Sequence, residues 1–200
     1  MTSFNSSKTP FDFNRGFTID FDKSTGESQM IDTGKRYLSQ MKGMFADDVA
    51  FEEILQNADP MVYEFHSMPV PEHEGDLAFG CSIVKPGKVG NEYFMTKGHF
   101  HTKLETGEVY YCLSGHGYML MENPEGDWLA EEISEGMAVY VPKRYAHRSI
   151  NVDPEKNLVT FFAFRADAGH DYGTIEAKGY RKLLVDVNGK PTIIDNPKWR

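Results

Sequence analysis

His99 and His101 stand two apart in Lys97-Gly98-His99-Phe100-His101, Glu108 follows shortly after, and His147 closes the distant run Val141-Pro142-Lys143-Arg144-Tyr145-Ala146-His147. Three imidazoles and one carboxylate make a full ligand set for a divalent transition metal. In a strand, residues two apart face the same side with backbones roughly 6.5–7 Å apart, so both histidines of the pair can reach one ion. Glu108 opens the strand-like run Glu108-Val109-Tyr110-Tyr111-Cys112-Leu113 and would add an anionic oxygen to the softer nitrogens. An octahedral ion held this way keeps adjacent positions open and a residual positive charge, so it remains a Lewis acid. Such a centre suits a substrate with oxygens on neighbouring carbons, such as C1 and C2 of an aldose or ketose, whose carbonyl it would polarise while stabilising a developing enediolate.

The elements that must position these ligands are short strands. Met61–Ser67, Asp76–Val84, Glu92–Thr96, Glu108–Leu113, Tyr118–Met121, Met137–Val141 and Leu158–Phe164 are separated by turns bearing glycine, proline or aspartate. Their spacing, without long helices between them, predicts a mainly β antiparallel sandwich or jelly roll. Val187-Asn188-Gly189-Lys190 predicts a final hairpin over Tyr180–Asp195. Asp47–Ala58 predicts a helix, with Phe51, Ile54, Leu55 and Ala58 on one face, acids in its first turn and Asp59-Pro60 beyond it. Met30–Met41 is read as a shorter helix or an irregular segment. The chain thus divides into an N-terminal extension with short helices (1–60), packed on a barrel with a C-terminal hairpin (61–200).

Two hundred residues, 40% hydrophobic and 13% aromatic, suit one folded domain and argue against disorder. No stretch approaches the roughly 20 apolar residues of a membrane span, and Met1–Lys8 lacks the apolar core of a leader. Cys81 and Cys112 fall in apolar strand-like runs and read as buried free thiols, which fits the cytoplasm. The net charge of −9 speaks against nucleic acid. It also repels phosphate at long range, so a phosphate site has to be built from local donors. His66, His73 and His116 match no ligand position and read as exposed or turn residues. Small antiparallel barrels leave edges and an outer sheet face, so a homodimer covering them is expected.

The run from Gly98 through His99, His101 and Glu108 to Gly115 and Gly117, and the run from Gly136 through Pro142 and His147 to Asn151, together resemble the two sequence boxes of the cupin superfamily (double-stranded β-helix or jelly-roll barrels). Arg144 stands where cupins commonly have glycine. The long spacing from His101 to Glu108 is similar to that of one branch, the cupin-type, metal-dependent glucose-6-phosphate isomerases of archaea and some bacteria. Similarity extends through Asp59–Glu64, Glu74–Leu77, Pro86–Gly90, Phe94–His101 and Asp167–Thr174 to Asp195–Trp199. The resemblance implies interconversion of glucose 6-phosphate and fructose 6-phosphate. It further implies one divalent ion per subunit, iron(II) first and manganese, nickel, cobalt or zinc as other occupants, on His99, His101, Glu108 and His147. Glu108 and Tyr110 are the implied catalytic residues. Tyr63, Ser82, Thr96, Lys97, Gly98, His170 and Tyr172 are the implied sugar-phosphate contacts, with Ser82 in place of threonine and Phe164 in place of tyrosine. Proton transfer by Glu108 and a metal-assisted hydride shift both remain open. An iron(II) dioxygenase of the same superfamily shares such a ligand set, but Thr96, Lys97, His170 and Tyr172 suit a phosphorylated polyol better than an apolar substrate. A non-enzymatic sugar-binding cupin would gain nothing from four polar ligands in its interior.

Overall fold

The computed structural model describes residues 11–199; the stretch Met1–Lys8, read above for a leader, lies outside the described residues. In chain order the elements are β1 (Thr33–Tyr37), α1 (Asp48–Asn57), β2 (Met61–Ser67), β3 (Leu77–Val84), β4 (Lys88–Val89), β5 (Glu92–Tyr93), β6 (Glu108–Ser114), β7 (His116–Glu122), β8 (Trp128–Ser134), β9 (Ala138–Val141), β10 (Ala146–Asn151), β11 (Leu158–Arg165), α2 (Gly173–Lys178), β12 (Lys182–Val187) and β13 (Lys190–Asp195). They form a six-stranded sheet β1-β2-β3-β11-β6-β9, a three-stranded sheet β10-β7-β8 and a four-stranded sheet β13-β12-β5-β4. The mainly β expectation is met, and the alternation of side chains makes the barrel. Glu108, Tyr110 and Cys112 of β6 are buried, whereas Val109 and Tyr111 between them are exposed.

Register then fixes which side chains meet inside. Phe164 lies opposite Glu108 and Phe162 opposite Tyr110 across β11 and β6, while Val141 and Val139 of β9 flank the same two residues from the other side. A one-residue slip would turn Glu108 out to solvent, so the apolar pattern of β9 and β11 is what keeps the carboxylate inside.

Several expectations hold and several are corrected. The helix predicted over Asp47–Ala58 is α1, with the Asp47 side chain accepting from the Ala50 N–H at 2.9 Å as its N-cap. The final hairpin is β12–β13, and Asn188 and Gly189 both hold positive φ (54° and 79°), as a tight Asn-Gly hairpin turn demands. Met30–Met41 is neither of the readings given above. It contains β1, paired with β2, followed by a single 3₁₀ turn, Leu38–Met41. Gly34 sits in β1 because the Phe65 ring occupies the space its Cβ would need, at 2.3 Å. His66 is also corrected: it is 4% exposed, inside β2, with Thr33 Oγ1 3.2 Å from its Nδ1. Arg144, standing where cupins commonly have glycine, has φ 72°, the left-handed conformation that glycine takes most easily.

Candidate metal centre and active site

His99, His101, Glu108 and His147 converge, each offering a ligand atom, with all four atoms within 4.8 Å of one another. His147 Nε2 is 2.9 Å and His101 Nε2 3.1 Å from the same oxygen, Glu108 Oε2. The outer ring nitrogens set the tautomers. Thr106 Oγ1 donates to the Lys103 carbonyl at 2.6 Å, so it accepts from His101 Nδ1, 2.8 Å away. His147 Nδ1 donates to the Tyr145 carbonyl at 3.3 Å. Donation from the outer nitrogens leaves both Nε2 atoms with lone pairs aimed at a carboxylate, and among the described residues the buried Nε2 of His99 has no hydrogen-bond partner. Lone pairs facing an anion at this distance repel unless a cation lies between them, so the donor set fits a divalent ion.

Burial alone would raise the Glu108 carboxyl, but the rings of His147 and His101 set against it hold it well below the usual carboxylate range. Glu108 is thus an ionised ligand. Burial, with His147 and His170 beside it, holds His99 well below the usual imidazole value, which keeps it neutral. Burial and the Glu108 charge push the Tyr110 phenol well up, so it stays a donor beside Glu108. Burial first, then Tyr172, pushes Tyr63 up to about 12, leaving another neutral hydroxyl.

A cavity of about 140 Å³ opens over this cluster. Tyr63, Ser82, Thr96, Gly98, Tyr110, His170 and Tyr172 line it together with His99, Glu108 and His147. His170 and Tyr172 stack on each other at 5.8 Å with planes 9° apart, and the His170 ring lies 4.4 Å from that of His99, at the mouth of the cavity. Lys97 is not part of the lining; its ammonium pairs with Glu176 at 2.7 Å. Phe65, Ser67, Ser149 and Phe162 also line the cavity and were not singled out from the sequence. Ser149 and Phe162 lie two residues from His147 and Phe164, so strand alternation alone would have found them. Thr106, which orients His101, gives no such signal.

The segment before the histidines owes its shape to a bulge. Met95 pairs with Ile150 and His99 with His147, so a four-residue step on one side opposes a three-residue step on β10. The extra residue falls beside Gly98, whose φ is 74°. It switches facing, so Thr96 and His99 both reach the cavity although three residues apart. A methyl group at Gly98 would lie 2.4 Å from the Tyr180 hydroxyl and 2.9 Å from the His147 carbonyl. Gly98→Ala is therefore expected to displace the turn. It should cost roughly 1–3 kcal/mol of stability from backbone strain alone and reduce metal content; unchanged melting and metal occupancy would contradict this account.

A mainly β barrel with three histidines and one glutamate, three of the four buried, converging so that they could hold a metal ion under a polar-mouthed cavity, defines a cupin-type fold and site. The chain belongs to the glucose-6-phosphate isomerase (GPI) family, whose sequence model matches residues 35–200. It is 46% identical to the glucose-6-phosphate isomerase of Thermococcus litoralis over 96% of this chain and 98% of that one. It is 44% identical to the one of Pyrococcus furiosus, again over 96% and 98%. A solved Klebsiella pneumoniae protein described as having a double-stranded β-helix domain superposes over 53% of this chain and 79% of its own, with a TM-score of 0.41 at 13% identity, a partial likeness only.

Proposed function

We propose that this protein interconverts glucose 6-phosphate and fructose 6-phosphate, with one divalent ion on His99, His101, Glu108 and His147. The observation that carries the reading is the pair of imidazole lone pairs turned onto one buried carboxylate oxygen, at the floor of a cavity whose mouth is lined by hydroxyls and His170. Bound there, the ion would supply Lewis-acid polarisation of a carbonyl oxygen. Iron(II) suits the mixed nitrogen and oxygen set best, and manganese, nickel, cobalt and zinc also suit it. Glu108, ionised and buried, is the anionic acceptor of the cluster, with Tyr110 beside it on the same face of β6. Phe162 and Phe164 close the apolar wall beside it and exclude water.

The sugar's phosphate end belongs at the mouth, against Thr96, Gly98, His170 and Tyr172, with Tyr63 and Ser82 along the sugar. Thr96→Ala and His170→Ala should each weaken fructose 6-phosphate binding about ten-fold, the size of one hydrogen bond to a charged group, with metal content intact. Equal turnover of free fructose and fructose 6-phosphate would exclude a phosphate site.

The protein is proposed to work as a homodimer in the cytoplasm. Val109, Tyr111, Met137 and Tyr140 on the outer face around β6 and β9 remain exposed, which supports a covering partner. Cys81 and Cys112 are buried and free, as in a reducing compartment. A dimer should show twice the 22.7 kDa chain mass by light scattering. The deciding measurement for the function is glucose 6-phosphate formed from fructose 6-phosphate in a coupled dehydrogenase assay. Absence of turnover by protein loaded with each of the five metals would overturn the reading.

A further inference from the structure

We propose that Arg148 is a positioning residue for the phosphate end of the substrate: a buried guanidinium that holds the bulged Lys97 carbonyl and, through that peptide unit, aims the Gly98 N–H into the cavity. This rests on the isomerase reading above and goes beyond it. Arg148 follows His147 on β10, is 2% exposed, and takes part in no ion pair among the described residues. A buried guanidinium whose nearest carboxylates, Glu92 and Glu122, lie beyond ion-pair distance is costly to keep, so its few contacts are informative. Its Nη2 donates to the Lys97 carbonyl at 2.6 Å and its Nη1 lies 2.8 Å from Met95 Sδ. Its Cζ lies 4.0 Å over the Tyr180 ring. All of these contacts serve the Met95–Gly98 segment or the Tyr180 ring packed behind it.

The Lys97 carbonyl and the Gly98 N–H belong to one peptide unit. A cation hydrogen-bonded to the carbonyl polarises that unit and strengthens its N–H as a donor. Among the described residues the Gly98 N–H has no protein acceptor, and Gly98 lines the cavity beside Thr96. In a chain of net charge −9 this places a positive charge behind the donor that an anionic substrate group would meet, without exposing it to solvent. Lysine would substitute only in part, keeping the charge but not the flat fork that stacks on Tyr180 and reaches the carbonyl.

The test measures binding of sorbitol 6-phosphate and of sorbitol by titration calorimetry, together with metal content, for wild-type and Arg148→Met protein. Arg148→Met is expected to lose about ten-fold in affinity for the phosphorylated polyol, as is usual when a supporting hydrogen bond is removed. Affinity for sorbitol and metal occupancy should stay unchanged, and KM for fructose 6-phosphate should rise with kcat held within about three-fold. If Arg148→Met does not fold, Arg148→Lys decides, with a smaller loss of the same selective kind expected. Unchanged sorbitol 6-phosphate affinity in whichever variant folds would overturn the proposal. Equal losses for both polyols with falling metal content would overturn it as well, by showing a merely structural role. Wild-type protein that binds neither polyol phosphate nor turns over fructose 6-phosphate would instead refute the isomerase reading, and this inference with it.

Discussion

Stripping the protein with a chelator is expected to abolish isomerisation, and iron(II) or manganese(II) should restore it; His101→Ala should lose most bound metal while keeping its fold. His101 carries this expectation because its role is so constrained. It is 4% exposed, its Nδ1 is committed to Thr106, and its ring stacks on Phe164 at 5.4 Å with planes 24° apart. Nε2 can therefore point only at the cluster. Without an ion, Glu108 and three imidazoles share a dry interior with too few donors, so the metal should also support stability. An ion present at 100 times its dissociation constant contributes about 2.7 kcal/mol, and for a chain of this size its removal should lower the melting temperature by roughly 5–11 °C. Circular dichroism of the apo protein should show the strands intact. Full activity in a rigorously metal-free sample would sink the metal-centred reading.

The fold was legible wherever a local rule dominated. The acidic first turn of α1, its Phe51, Ile54 and Leu55 face and the Asn188-Gly189 turn each act within a few residues and appear as read, whereas Ala58 lies past the helix end and is exposed. β10 escaped notice because Ala146-His147-Arg148-Ser149-Ile150-Asn151 carries four polar side chains, yet all six residues are buried. Three of those side chains reach backbone carbonyls inside: His147 that of Tyr145, Arg148 that of Lys97, and Asn151 Nδ2 those of Val84 and Lys156 at 2.9 and 2.8 Å. A hydropathy pattern cannot anticipate polar groups satisfied by distant backbone. β8 escaped for the opposite reason, since its mostly exposed Trp128–Ser134 shows no buried alternation.

The ligands were legible because histidine and glutamate at such spacing have few other uses, and they converge as read. The way they are held was not. Gly98 could be seen as a turn glycine, but its place in a bulge depends on pairing with β10, far along the chain. The same facing switch explains why Lys97, flanked by cavity residues on both sides, turns away to Glu176. Thr106 and Arg148 act through a carbonyl or a ring nitrogen, and neither spacing nor composition signals such a role.

Glu108→Gln is expected to give the largest loss of any single conservative change, about 10²–10⁴-fold in kcat, the range for removing a positioned acid or base. Glutamine preserves shape and neighbours but lacks charge. Its amide would place either an N–H or a neutral oxygen where Oε2 now stands within 3.1 Å of two imidazole nitrogens. Metal affinity should fall, since the only anionic ligand of the set is gone. The two roles of Glu108 separate on saturation with metal. If Glu108 also moves the proton between C1 and C2, the rate deficit should persist at full occupancy, and wild-type enzyme in D₂O should place deuterium in the product at the carbon that receives the proton. Product free of label would assign the transfer to a direct hydride shift and leave Glu108 as a ligand alone. The geometry favours persistence of the deficit, because Oε2 lies 2.9 and 3.1 Å from two buried ring nitrogens, an arrangement that fixes the group's orientation as well as its charge.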